Sequence, residues 1–226
     1  MNERQLLEEK LKGRSLQGAL RVLRFAEGTE RGGPDSYRVM FGGGLAPDLK
    51  RHPDKVIRSP GGYASSAAGA YQFLTPSWQS HAKALGLQDF SGYNQDLAAA
   101  RAIRNRLMPI GGLATLEKEG FSPRVSAALA PEWASLPTES GQSYYGQPVK
   151  KLADLQKIYG QQSAPSVDTA TQPSKAKPTT KDLAGQDPAL LIMAQQLFQP
   201  LMTPANTGGS FGSLSRMLSR FGALGQ

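Results

Sequence analysis

The stretch LRFAEGTERGGPD, residues 23–35, sets a carboxylate, Glu27, at the junction between an apolar helical run and a glycine. Leu16, Leu20, Leu23 and Ala26 recur at about one helical turn, which predicts a helix with one apolar stripe. Gly28 directly follows Glu27 and suits the left-handed position that closes a helix. A helix C-terminus carries partial negative charge, so an ionised carboxylate there is disfavoured. If Phe25 and its neighbours also desolvate the group, both effects raise its pKa, as a general acid near neutral pH requires. Spacing alone leaves this reading beside a simpler one, a solvated glutamate at a helix end.

Two further stretches carry residues suited to a binding cleft. In SSAAGAYQFLTPSW, residues 65–78, small residues permit close backbone approach to a ligand, while Tyr71 and Gln72 offer an aromatic face and an amide. The same letters also describe a glycine-containing loop running into a helix at Pro76, with Tyr71 and Trp78 in the core. In EWASLPTESGQSYYGQP, residues 132–148, Trp133 and Leu136 read as structural, and Tyr144, Tyr145 and Gln147 surround Gly146. These form either a cleft wall or an aromatic surface loop. Glu30 and Asp35 are the nearby candidates for a second carboxylate. Both lie in a polar, glycine-rich segment where solvated acids are common.

The elements that must position these groups are mainly helical. Helices are expected near 3–13, 15–27, 75–86, 94–107, 122–130 and 148–159. YRVMF and KVIR, separated by glycine and proline turns, read as short strands. The expected class is therefore α+β, a helical body with a small β-excursion inserted after Glu27. After residue 160 the composition changes. Residues 161–188 hold Pro165, Pro173, Pro178 and Pro188, with Val167 and Leu183 as the large apolar residues, and read as a flexible linker. Residues 189–226 contain two apolar segments. The second, SFGSLSRMLSRFGALG, sets Phe211, Leu214, Met217, Leu218 and Phe221 at helical spacing beside Arg216 and Arg220.

Composition removes several alternatives. With 39% hydrophobic and 19% charged residues, the chain has the mix of a soluble globular protein. Cysteine is absent, which removes disulfides, thiolate metal sites and cysteine nucleophiles. His52 and His81 are the two histidines, too few for a multi-histidine metal cage and a poor basis for a Ser-His-Asp triad. No metal or other cofactor is expected. A net charge of +8 favours polyanionic partners, including anionic cell-wall polymers, but no nucleic-acid-binding motif accompanies it. The N-terminal MNERQLLEEKLKGRS has no apolar core, so synthesis in a cytoplasm without a cleavable signal peptide is expected.

Taken in order, FAEGT, YRVMFGGGL, HPDK, AAGAYQFL, LGLQDFS, QDLA, WASLP and YGQ resemble the phage lambda endolysin family, lysozyme-like lytic transglycosylases, across residues 16–159. The resemblance implies a lysozyme-like fold in which the β-excursion forms one lip of a saccharide cleft. It implies a peptidoglycan-cleaving domain over 1–160, with Glu27 as the catalytic acid. As cleft residues it implies Thr29, Tyr37, Gly42, Gly43, Ser66, Tyr71, Gln72, Tyr145, Gly146 and Gln147. The Tyr37–Leu45 and His52–Ser66 stretches match the two lips. Phe25-Ala26 departs from the family's Trp-Ser, and 161–226 has no counterpart. A substrate of glycan strands, made accessible in the periplasm of a bacterial host, follows from the same resemblance. The two apolar, partly helical segments of 189–226 suggest docking to a phage particle or contact with a membrane surface, beside the simpler reading that they fold back on the catalytic domain or stay weakly ordered.

Overall fold

The computed structural model describes residues 1–161 apart from 31, 32, 61, 63 and 147. The expected linker and tail, beyond residue 161, lie outside the described residues, as does Gln147.

Seven α-helices are present among the described residues: α1 (Glu3–Leu11), α2 (Arg14–Ala26), α3 (Thr75–Leu85), α4 (Gly92–Leu107), α5 (Leu113–Glu119), α6 (Pro123–Leu129) and α7 (Leu152–Gly160). α1 starts in a capping box, where the Asn2 side chain accepts from the Gln5 amide and the Gln5 side chain accepts from the Asn2 amide. Its Leu7 and Leu11 are buried. α4 is the central element. Leu97, Ala98, Ala99, Ala100, Ala102, Ile103 and Leu107 are all buried along it, and the short alanine side chains let neighbouring helices approach closely.

α2 buries Leu16, Ala19, Leu20, Val22, Leu23 and Ala26, the stripe expected from spacing. α7 crosses it where Gly18 makes room. A Cβ on Gly18 would stand 2.9 Å from the Tyr159 ring, and one on Gly120 would stand 3.2 Å from the same ring. Arg21 donates to the carbonyl of Ile158, which fastens the end of α7 to the middle of α2.

Three expectations about elements are corrected. YRVMF is not a strand: Gly33–Arg38 is a 3-10 segment, and only Val39 and Met40 pair, through single bridges to Leu45 and Ala68. KVIR is shorter than expected, with β1 (Ile57–Arg58) antiparallel to β2 (Ala64–Ser65). The final helix begins at Leu152 rather than 148, because the Lys150 amide is bonded to the Ser135 carbonyl at 3.0 Å and holds that stretch extended. α5 was not expected. Its seven residues lie between glycines at positive φ (Gly112, +69°; Gly120, +64°), too few for periodicity to register.

Both histidines have structural roles. His52 Nδ1 accepts from the Asp54 amide, so Nε2 carries the proton and donates to the Phe73 carbonyl at 2.9 Å. His81 is buried at 8% exposure, and its Nδ1 accepts from Arg101 at 3.1 Å. Burial is the main reason its pKa falls to about 4, with the charge of Arg101 acting in the same direction.

The unfolded chain therefore binds a proton at His81 near pH 6.5, whereas the folded chain resists until about pH 4. Stability falls as pH drops through that window, by up to about 1.4 kcal/mol per pH unit from this group. His81→Gln should flatten the dependence. Denaturant titrations at pH 7 and pH 4.5 measure it, and equal acid sensitivity in both proteins would clear His81 of the effect.

Candidate active site

Glu27 is the last residue of the α2 cap, and the chain beyond it turns sharply. The Gly28 amide donates to the Phe25 carbonyl at 3.2 Å, and the Thr29 amide donates to the Arg24 carbonyl at 3.0 Å. This is the paired Schellman closure, and it needs the positive φ of Gly28, +65°. Thr29 is then fully buried, and its hydroxyl donates to the Ala70 carbonyl at 2.6 Å. The motif EGT thus ends a helix, turns the chain and ties it to a second segment.

That second segment is a hairpin tip. Ala68 and Phe73 exchange both backbone hydrogen bonds, at 3.0 and 2.9 Å, around Gly69, Ala70, Tyr71 and Gln72. The Gln95 side chain of α4 supports the tip. Its Oε1 accepts from the Ala70 amide at 2.9 Å, and its Nε2 donates to the carbonyls of Phe90 at 2.8 Å and Tyr37 at 3.0 Å. The glycine at 69 permits this contact, since a Cβ there would lie 2.2 Å from Gln95 Oε1. The close approach expected of this loop is therefore made to Gln95.

The Glu27 carboxyl is only partly exposed. Ser135 Oγ donates to its Oε1 at 2.7 Å, across 108 residues of chain. Loss of solvation is the largest influence and raises its pKa to about 7; the Ser135 hydrogen bond and the positive charge of Lys150 pull the other way. Lys150 also lies over the Phe25 ring, 5.6 Å from its centroid. A carboxyl poised near neutrality and still reached by solvent can both give and take a proton.

The other expected residues divide into those beside this frame and those within it. Tyr71 is within it, at 1% exposure, so its ring is not a free stacking face. Its hydroxyl donates to Asp96 at 2.5 Å and accepts from Arg24 at 2.8 Å, while Tyr37 donates to the same carboxylate at 3.1 Å. Burial, then the charge of Asp96, hold the Tyr71 phenol well above its usual pKa, so it stays neutral. Gln72 is buried too, at φ +49°, with its amide donating to the carbonyls of Gly69 and Val39. Ser66 is buried and accepts from the Thr75 amide at the start of α3.

Gly42 and Gly43 form the exposed tip of the loop between Val39 and Leu45, at φ +79° and +85°. Met40 joins the base of that loop to the Ala68 hairpin. Tyr145 is half-buried, stacks edge-on against Tyr144 at 4.7 Å, and donates to the Pro131 carbonyl at 2.8 Å. Gly146 is exposed. Among the other acids, Glu30 is exposed and Asp35 is paired with Arg38 at 3.1 Å. No group of three or more metal-ligating side chains occurs among the described residues.

Four residues that build the site escaped the sequence reading: Gln95, Asp96, Ser135 and Lys150. WASLP and QDLA contain the first three, but nothing in the letters says that a serine 108 residues away meets Glu27.

The Endolysin family model matches residues 17–165. The endolysin of Escherichia phage lambda is 34% identical over 122 residues, covering 52% of this chain and 74% of that protein. Two solved structures share the fold: bacteriophage lambda lysozyme complexed with a chitohexasaccharide, and lysozyme from bacteriophage lambda. Each aligns with a TM-score of 0.55 at 30% identity, covering 65% of this chain and 92% of that one. With the family model spanning most of the chain and Glu27 inside the match, the chain belongs to the endolysin family.

Proposed function

We propose that this chain is a lysozyme-like, cell-wall-lytic enzyme that cleaves the MurNAc–GlcNAc β-1,4 bond of peptidoglycan as a lytic transglycosylase. The observation that carries the reading is the desolvated carboxyl of Glu27, titrating near pH 7 beside a neutral hydroxyl and a lysine. The chitohexasaccharide bound to lambda lysozyme supports a glycan substrate.

Most glycosidases use two carboxylates, one protonating the leaving group and one serving as base or nucleophile. Here Asp35 is engaged by Arg38, and Asp96 holds the hydroxyls of Tyr37 and Tyr71. A single-carboxylate route fits this arrangement. Protonated Glu27 donates to the glycosidic oxygen, and the bond from that oxygen to the muramic anomeric carbon breaks. The muramic 6-hydroxyl attacks the same carbon and gives its proton to the Glu27 carboxylate, closing a 1,6-anhydro ring. The acid is regenerated and no water is consumed. A tethered hydroxyl acts at high effective concentration, which makes a second protein group dispensable.

Delivery is a further part of the proposal. The enzyme is made in the bacterial host cytoplasm and acts on the periplasmic wall, with 189–226 docking it to a phage structural protein. Deleting residues 161–226 tests this: unchanged muralytic rate with loss of the enzyme from purified particles supports docking, and retention in particles refutes it.

Products discriminate the chemistry. Digests of purified peptidoglycan should contain 1,6-anhydro-muropeptides, whereas reducing ends would replace the transglycosylase by a hydrolase, with Asp35 or Glu30 as its second group.

Activity should fall as pH rises through about 7, because the acid must start protonated. Glu27→Gln should reduce lysis by at least about a thousandfold. The same change should stabilise the fold. A carboxylate whose folded pKa lies above its unfolded value costs stability as pH rises from 4.5 to 7, on the order of 3 kcal/mol at pH 8. Thermal melts at pH 8 and pH 5 should therefore show a larger gain at pH 8; an active or equally stable variant contradicts the assignment.

A further inference from the structure

Ser135 is 1% exposed, and the segment around it is held from four directions. Tyr145 donates its hydroxyl to the Pro131 carbonyl at 2.8 Å, and the Trp133 indole donates to the Tyr71 carbonyl at 3.3 Å. The Lys150 amide donates to the Ser135 carbonyl at 3.0 Å, and Ser126 Oγ donates to the Pro137 carbonyl at 2.7 Å. Trp133, Ala134 and Leu136 are buried on either side. The backbone of Ser135 therefore cannot follow a moving carboxyl. Its single hydroxyl proton is committed to Glu27 Oε1 at 2.7 Å.

We propose that Ser135 is a positioning residue for the reaction, fixing the Glu27 carboxyl through Oε1 so that Oε2 is the oxygen that gives and takes the proton. This rests on Glu27 being the acid. The hydroxyl keeps one orientation through both half-steps. When Oε2 releases its proton, the developing negative charge spreads onto Oε1, already facing a fixed donor. Such a preorganised donor favours the carboxylate more than the acid, so it strengthens Glu27 as a donor at the moment of transfer. Lys150 adds a longer-range attraction that favours the carboxylate in the same way. A second carboxylate at this place would have repelled the anion instead. Ser135 is thus a neutral substitute for the electrostatic half of a two-carboxylate site, without becoming a base or nucleophile.

The experiment compares wild type, Ser135→Ala and Lys150→Met in two measurements. Carbon-13 NMR titration of labelled glutamate reads Glu27 directly in the folded protein, and the pH profile of peptidoglycan cleavage reads its use. Ser135→Ala should keep the melting temperature at pH 5, where Glu27 is protonated in the fold, and move the Glu27 titration upward by roughly one pH unit. The alkaline limb of cleavage should follow it. kcat should fall roughly ten- to a hundredfold with little change in KM. Lys150→Met should move both curves in the same direction while losing less kcat, because it leaves the Oε1 contact in place. A Glu27 titration unmoved in Ser135→Ala overturns the positioning role. So does a kcat loss accompanied by a lower melting temperature at pH 5, where the shifted titration contributes nothing to stability. If the Glu27 titration moves and the cleavage profile does not, the positioning contact stands, but Glu27 is not the acid and the functional reading fails.

Discussion

The C-terminal closure of α2 is the constraint on which the site depends. A helix end leaves carbonyls without partners, and the Gly28 turn satisfies two of them while reversing the chain within three residues. That reversal puts Thr29 into the interior, where its hydroxyl meets the Ala70 carbonyl. Ala70 in turn gives its amide to Gln95, and Gln95 reaches the carbonyls of Tyr37 and Phe90. One chain of hydrogen bonds thus runs from the helix end through the hairpin tip to α4 and the 3-10 segment Gly33–Arg38. Glu27 projects from a rigid corner, so its carboxyl geometry follows from the backbone around it.

Electrostatically, the same corner is an unfavourable place for an anion. The carboxyl sits at the negative end of α2 and has lost most of its solvation. Ser135 and Lys150 offset part of that cost, and the result is a group balanced near neutrality. Had Lys150 paired with a fully ionised Glu27 in open solvent, the carboxyl would have stayed a permanent anion. The structure gives up stability at neutral pH to keep this proton exchangeable, the usual relation between a functional group and its fold.

Much of the fold was legible from sequence, because helical stripes such as Leu16, Leu20, Leu23 and Ala26 are local and repeat. The order of short matches, with EGT first, implies a catalytic role for Glu27 where periodicity leaves a solvated charge as the simpler choice. The rest is legible only in three dimensions. Tyr71 and Gln72 have the letters of a sugar-binding edge, yet the same letters build a hairpin tip whose side chains point into the core. Gly69 signals a close approach, and spacing could not reveal that the approaching group is Gln95. Ser135 was invisible because serine is common and its partner lies 108 residues away.

Lys150 and α7 show why the C-terminal part of the described chain belongs to the site. α7 is short, and among the described residues its side chains are not those that shift the Glu27 carboxyl. Yet Tyr159 fills the space left by Gly18 and Gly120, and Arg21 holds the carbonyl of Ile158, so α7 fixes α2 along its length. The residues leading into it are extended because the Lys150 amide is committed to Ser135. The two groups that temper Glu27 are therefore joined to each other through the backbone, and through α7 to the helix that bears Glu27. Any motion of α2 against the Ser135 segment must strain this loop of contacts, which couples the backbones that carry the carboxyl, its donor and its cation.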